Sequence, residues 1–479
     1  MDKRRFSKEA NIQYTYPSAE QLVNNTDDLL NFINHHQNKQ QPRLKELREY
    51  YEGNNTKILR GKRRREEHLA DHRAANAFAE YVSGFIQGYM VGIPIKTEYS
   101  DDEETNDLIR DINRTNDADE HNSNLVLDQS IYGRAYELLY RNQNDETRFT
   151  VSDVLQTFVI YDTTVEQNPI AGVRYFVNQF KNNEQTVFLY TEKAIHQYVV
   201  DESGKLREEN IDSHAFEGVP IIEYSNNRFR LGDFERVLDL IDLYDESQSD
   251  TANYMTDFND AMLKIIGDLD IDVEQAQKMK EHNVLMLQTR MNSDGKTGQA
   301  QADYIYKKYD VQGTEAYKDR VKNDIHMFTH TPNMDDEHFA SNQSGEALKY
   351  KLFGLEQKRA TKERLFKKSL RDRYRLIHNM MKMAAEGEFD VNKIKITFTP
   401  NLPKSLKDEI EAFVKLGGEL SEQTVLSLLS TLVENPQEEM ERKEQESQKR
   451  REQSDRRVLF DLNRNRNRQI AENEVTGDE

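Results

Sequence analysis

Three short stretches carry residue types that could do chemistry. His68-Leu-Ala-Asp71-His72 has the i, i+4 histidine spacing that chelates zinc on a helix, in the order of an inverted zincin motif. Asp stands where that motif needs the longer Glu as general base, and no third ligand is identifiable, so packing or capping histidines are expected. Asp268-Leu-Asp270-Ile-Asp272 imitates the start of a calcium loop. Its sixth position is Val273 instead of Gly and its twelfth is Met279 instead of Glu, which rules out an EF-hand. Gly295-Lys296-Thr297 resembles the end of a phosphate-binding loop, but Arg290 occupies the place of the leading glycine. Backbone amides cradle phosphate only in that glycine-rich turn, so a hairpin tip is expected. Gly61-Lys62-Arg63 fails for the same reason. No catalytic residue, metal site or cofactor is assigned.

Charge is the other chemical resource. The segment 233–266 reads as a long helix with apolar residues at Phe234, Leu238, Ile241, Met255, Phe258, Met262 and Ile265. Its remaining face is acidic: Asp239, Asp242, Asp245, Glu246, Asp250, Asp257 and Asp260. A helix of about 40 residues is expected from Gly345 to Glu386, with the turn-rich loop 331–345 before it. This helix is basic (Lys349, Lys351, Lys358, Arg359, Lys362 and others to Arg375), yet Leu348, Leu352, Leu355, Leu365, Leu370, Leu376 and Ile377 keep an apolar stripe. Those cations could contact phosphate or pair between subunits with an acidic helix such as 233–266; the pairing is preferred.

The elements around these segments set the fold class. The chain has 479 residues, a net charge of −20 and no cysteine, so disulfides and thiolate metal sites are excluded. The opening MDKRRFSKEANIQY lacks an apolar core, so no signal peptide is expected. Phe78 to Ile95 is too short and too interrupted for a bilayer span. Residues 1–60 look helical, with Leu22, Leu29 and Ile33 on one face. A second helix carries Ala74, Ala77, Phe78, Tyr81, Val82 and Phe85, and Leu125–Tyr140 reads as another. From about 148 to 225, β-branched and aromatic runs predict an antiparallel sheet. A mixed insert (268–312), a helix (Glu315–Phe328), a strand (KIKITFTPNLP) and late helices follow, before a charged tail. The class is α+β, mainly α.

Several blocks, in order, resemble the portal proteins of tailed double-stranded-DNA phages of the siphophage type infecting Gram-positive hosts. They are YYEGNN with NAFAEYVSGFIQGYMVGIPI, IYGRAYELLY, TFVIYD with GVRYF, HAFEGVPIIEYSNNRFRLGDFERVLDLIDLYD, TPNMDDEHFASNQSGEALKYKLFGLEQK, ITFTPNLPKS and LSLLSTLVENPQEEMER. They cover most of residues 40–445. The resemblance implies a non-enzymatic dodecameric ring at one capsid vertex, assembled in the host cytoplasm and carried in the virion. It implies partners: sequence-independent double-stranded DNA, terminase, scaffolding protein, major capsid protein and a head-completion adaptor, with no membrane. By position it implies a wing (1–232 and 346–404), stem helices (233–267 and 313–330), a clip (268–312), a tunnel loop (331–345) and a crown with the tail (405–479). The loop would bring Asn333, Met334, Asp335, Asp336, Glu337, His338, Phe339, Asn342, Gln343 and Ser344 to the DNA channel. A nucleic-acid enzyme (nuclease or packaging ATPase) and a cytosolic helical scaffold are the alternatives.

Overall fold

The computed structural model describes residues 5–61, 70–99, 101–180, 184–257, 262–266, 274–275, 277–278, 301–305, 310–334, 350–402, 426, 439–440, 442–444 and 446–448. The chain divides into two units, Met1–Asn342 with Lys349–Asn401, and Gln343–Leu348 with Leu402–Glu479. In the second unit the described residues are few, with short helical stretches between 439 and 448. All that follows concerns the first.

The chain begins with strand β1 (Tyr14–Thr15) and helices α1 (Ala19–Asn24), α2 (Thr26–His35), α3 (Gln41–Tyr51) and α4 (Thr56–Leu59). Leu22, Leu29 and Ile33 are fully buried, as their spacing predicts. Asn25 breaks the single expected helix in two by capping α2, its side chain accepting the Asp28 amide. Helix α5 (Phe78–Val91) buries Val82, Ile86, Tyr89 and Met90. Residues 70–77 before it are not helical, so Ala74 and Ala77 do not extend its stripe.

Strand β2 (Lys96–Tyr99) is followed by α6 (Glu103–Thr115) and α7 (Ala118–Tyr132). The helix expected to run to Tyr140 stops at Gly133, which adopts φ 84°. A Cβ there would lie 2.1 Å from the Arg230 carbonyl oxygen, so only glycine fits this turn. The next residues form strand β3 (Arg134–Arg141) instead. Strands β4 (Thr147–Ser152), β5 (Thr157–Tyr161), β6 (Pro169–Asn178), β7 (Glu184–Tyr190), β8 (Ala194–Val200), β9 (Leu206–Ser213) and β10 (Ile221–Ser225) complete the β region.

That region is two sheets. The first has the order β1-β5-β6-β7-β8-β9, and the second β10-β3-β4. All neighbours are antiparallel except β1 and β5, which run parallel with Tyr14 opposite Ile160. Helices α1 and α2 bury Leu22, Leu29 and Ile33 on one face of the first sheet, against Phe158, Val173, Val187 and Leu189.

Helix α8 (Leu238–Asp257) follows, then strands β11 (Met262–Ile266) and β12 (Gln301–Ile305), which pair antiparallel. The helix expected to reach Ile266 therefore ends at Asp257; Met262 and Ile265 belong to the run MLKII, which pairs as a strand. Helix α9 (Val311–Thr329), helix α10 (Phe353–Ala384) and strand β13 (Ile394–Thr397) end the unit, β13 pairing with β2. Helix α10 packs Phe366, Leu370, Tyr374, Leu376 and Ile377 into the larger core with α7 and the second sheet. The fold is α+β, mainly helical with mixed sheets.

Candidate functional site

The acidic face of α8 is two faces. Asp242 and Asp245 are buried, whereas Asp239, Glu246 and Asp250 are exposed. Asp242 accepts from Arg5 Nη1 (2.8 Å), Lys57 Nζ (2.7 Å), Asn55 Nδ2 (3.1 Å) and the Tyr50 hydroxyl. Burial opposes its ionisation, but these donors outweigh it and hold its pKa below the ordinary value. For Asp245 burial wins, and the neighbouring Asp242 charge adds to the upward shift. Glu246 and Asp250 line an open cleft of about 450 Å³ with Leu243, Asp310 and Tyr317.

The buried part of that face holds a strap, residues 70–77. Its alternate amides are satisfied by side chains one helical turn apart: His72 N donates to Asn253 Oδ1 (2.6 Å), Ala74 N to Ser249 Oγ (2.9 Å) and Asn76 N to Asp245 Oδ1 (3.0 Å). Asp245, Ser249 and Asn253 are all fully buried. A stretch with no ladder of its own thus pairs its backbone through helix side chains. The exposed His72 ring also reaches α8, its Nε2 lying 2.8 Å from Thr256 Oγ1. Asp71 and His72 lie in a non-helical stretch; His68 lies outside the described residues. Among the described residues no group of three His, Cys, Asp or Glu side chains could hold a metal.

The approach to α8, the C-terminal end of α9 and helix α10 meet at Asp233. Its carboxylate pairs with Lys362 Nζ (2.7 Å) and Lys358 Nζ (3.0 Å), and accepts from Asn226 Nδ2 (3.1 Å). Burial works against the charge, but the two ammonium groups hold the Asp233 carboxyl well below the usual carboxylate range. Lys358 also donates to the Thr329 carbonyl at the end of α9 (3.2 Å). There His330 turns the chain in a left-handed conformation, φ 60°, and Tyr81 OH donates to the Pro332 carbonyl (2.6 Å). On the return, Gly354 lies so close to His330 that a Cβ would fall 3.0 Å from its Nδ1. Arg43 forks onto Glu235 (2.7 and 2.5 Å), whose Oε2 accepts the Gly232 amide.

A second buried charge cluster ties α10 to the second sheet. Arg373 and Glu137, both fully buried, pair at 2.6 Å. Glu137 also takes His121 Nε2 (2.7 Å) and the Tyr224 hydroxyl (2.8 Å). Burial alone would raise the Glu137 pKa; Arg373 and His121 instead bring it down to about 2. The Arg373 guanidinium carbon sits 4.4 Å from the centre of the Phe149 ring.

The basic helix is therefore neutralised largely inside its own chain. Lys362 is 2% exposed and faces Asp233, not a phosphate or another subunit, because it falls on the buried stripe with Leu355, Phe366 and Arg373. Lys358 joins it, and Arg359 pairs with Glu356 and Glu363 on the same helix. Lys351 is exposed. Asn333 donates to Asn323 Oδ1 (3.3 Å), and exposed Met334 lines a cleft of about 310 Å³ with Phe78, Tyr81 and His326. Asp257 closes α8. Asp335, Asp336, Glu337, His338, Phe339, Asn342, Gln343, Ser344 and Lys349 lie outside the described residues, as do Asp260, Asp268, Asp270, Asp272 and Gly295–Thr297. Of the expected crown (405–479) only scattered residues are described. The roles of Asp233, Glu137, Arg43 and Glu235 escaped sequence reasoning, and Arg373 reads there only as one cation of the basic helix.

The sequence matches the family described as "Phage portal protein, SPP1 Gp6-like" over residues 30–453, and the chain belongs to that family. It is 24% identical over 377 residues to the portal protein of Clostridium phage phiCD119, covering 74% of this chain and 81% of that one. It is 21% identical over 421 residues to the portal protein of Bacillus phage SPP1, covering 84% and 80%. Among the described residues no helix is long and apolar enough to cross a membrane.

Proposed function

We propose that the chain assembles into a dodecameric ring at one capsid vertex and serves there as the conduit for double-stranded DNA. The observation that carries this reading is the family match running from residue 30 to residue 453. In this reading α8 and α9 form the stem, and 268–312 the clip, with the β11–β12 pair at its base. Residues 331–345 form the tunnel loop, 1–232 and 346–404 the wing, and 405–479 the crown. Terminase, scaffolding protein, major capsid protein and a head-completion adaptor dock on the ring, and the chain has no enzymatic role.

The charge arrangement supports passage without grip. Every persistent lysine–phosphate contact adds affinity, and therefore friction, through counter-ion release. Here Lys358, Lys362 and Arg359 are engaged by Asp233, Glu356 and Glu363, which withholds them from a polyanion. Exposed carboxylates such as Glu246 and Asp250 repel DNA within a screening distance of roughly 8–10 Å. Backbone contacts without base readout make the conduit indifferent to sequence.

Negative-stain imaging of the purified full-length chain is expected to show rings with a central hole. A persistent monomer with nuclease or ATPase turnover would overturn the proposal. Neutralising the loop (Asp335→Asn, Asp336→Asn, Glu337→Gln) is expected to leave rings intact and to increase retention of DNA in the channel. Unchanged packaging and retention would remove the loop from DNA contact.

A further inference from the structure

Lys358, a residue of α10, bonds both the approach to α8 and the end of α9. Its ammonium group bonds the Asp233 carboxylate (3.0 Å) and the Thr329 carbonyl (3.2 Å). Helix α9 has already stopped there: His330 is left-handed, and Thr331 N returns to the His326 carbonyl (3.1 Å). The last carbonyls of a helix carry partial negative charge and lack intrahelical donors, so an ammonium group is a fitting cap. Four residues before Lys358, Gly354 packs closely on the His330 ring, where a Cβ would lie 3.0 Å from Nδ1. Lys362, one turn later, completes the grip on Asp233 from within the core (2.7 Å). Asp233 is itself held on both sides, since its amide donates to Ser130 O (2.7 Å) and Asn226 Nδ2 donates to its carboxylate (3.1 Å).

We infer that Lys358 is a positioning residue that fastens the two ends from which residues 335–349 depart, Met334 on one side and Tyr350 on the other, to the base of α8. The role rests on the portal reading, because only there does the heading of this segment bear on DNA. The staple makes three chain segments far apart in sequence share one anchor. A displacement of α8 at Asp233 is then passed to both loop ends together, and neither end shifts alone while the ammonium bonds persist.

The absence of cysteine permits a direct test. Spin labels are placed on Met334→Cys and Tyr350→Cys, both exposed, in full-length chain diluted with unlabelled chain so that distances within one subunit dominate. The parent is expected to give one narrow distance distribution. Lys358→Met is expected to broaden it and shift it to longer distances, and Lys358→Arg to restore it. Lys367→Met, on the same helix but away from the joint, is expected to leave it unchanged. An unchanged distribution in Lys358→Met overturns the assignment. Should that variant not fold, Lys358→Gln, which removes the ammonium charge but keeps a polar side chain, takes its place, and an unaltered distribution there overturns it equally. The distances report the joint whether or not the chain conducts DNA. DNA packaging measured on the same variants separates the two claims: a loosened joint with normal packaging overturns the positioning role, whereas rings that never package DNA, even in the parent, count against the conduit itself.

Discussion

Arg373→Met is expected to destabilise the protein by about 3–5 kcal/mol, the usual cost of leaving one member of a buried ion pair without its counter-charge. Arg373 is fully buried against an equally buried Glu137, so neither water nor a rotamer change can replace it. Chemical denaturation by circular dichroism would read the loss as a lower midpoint at unchanged slope. The effect carries a pH signature. In the parent, Glu137 is pulled from an ordinary 4.5 to about 2. Its stabilising contribution is therefore complete above about pH 4.5 and is lost as pH falls toward 2. In Arg373→Met burial dominates and the carboxyl pKa rises above its ordinary value. The deficit of the variant is thus largest at neutral pH and shrinks in acid. A deficit independent of pH would show that lost packing, not the lost ion pair, is responsible. Glu137→Gln added to Arg373→Met should recover part of the loss, roughly 0.5–3 kcal/mol as coupled neighbours do.

Replacing Asp245, Ser249 and Asn253 together by Ala is expected to release the strap. Each backbone amide left buried without a partner costs about 1–3 kcal/mol, so the freed segment leaves the helix for water. Trypsin would read the change at the Arg73–Ala74 bond, which lies inside the strap. Cleavage follows the population of the open form, and every 1.4 kcal/mol is about tenfold, so acceleration on the order of tenfold to a hundredfold or more is expected. Ser247→Ala, on the same helix but without a strap contact, should cleave at the parental rate. Equal rates in all three chains would mean that the amide bonds to α8 do not hold the strap down.

Periodicity made much of the architecture legible. Leu22, Leu29 and Ile33 announced their helix face, and runs such as TFVIYD and QTVFLYT announced strands, because burial on one side writes a repeat into the chain. The mistakes have local causes. Leu125–Tyr140 reads as one amphipathic helix until the left-handed Gly133 is recognised as its stop, and Arg134–Leu139 is buried on both faces, which erases strand alternation. Met262 and Ile265 continue the helical spacing of α8 by coincidence. The acidic face of α8 could not be divided into buried and exposed parts, since the donors to Asp242 and Asp245 come from residues 5 to 76. One signal was available and missed: Lys362 and Arg373 recur at helical spacing with Leu355, Phe366 and Ile377. Cations on an apolar stripe need buried partners, and that pattern pointed to internal pairing before any coordinates.

The strap also sets its own length. Two residues of extended chain advance about 6.6 Å, whereas four residues of α-helix advance about 6 Å. Matching every second amide to every fourth helix side chain therefore works like a vernier whose scales drift by roughly 0.6 Å per rung. Over the rungs at His72, Ala74 and Asn76 the drift stays small, while a much longer run would fall out of step. A slip by one residue would turn every donor away, so the segment can be misthreaded only in two-residue steps, each leaving an end rung empty. Mismatched pitches thus give a stretch without a ladder of its own a single register and a built-in limit.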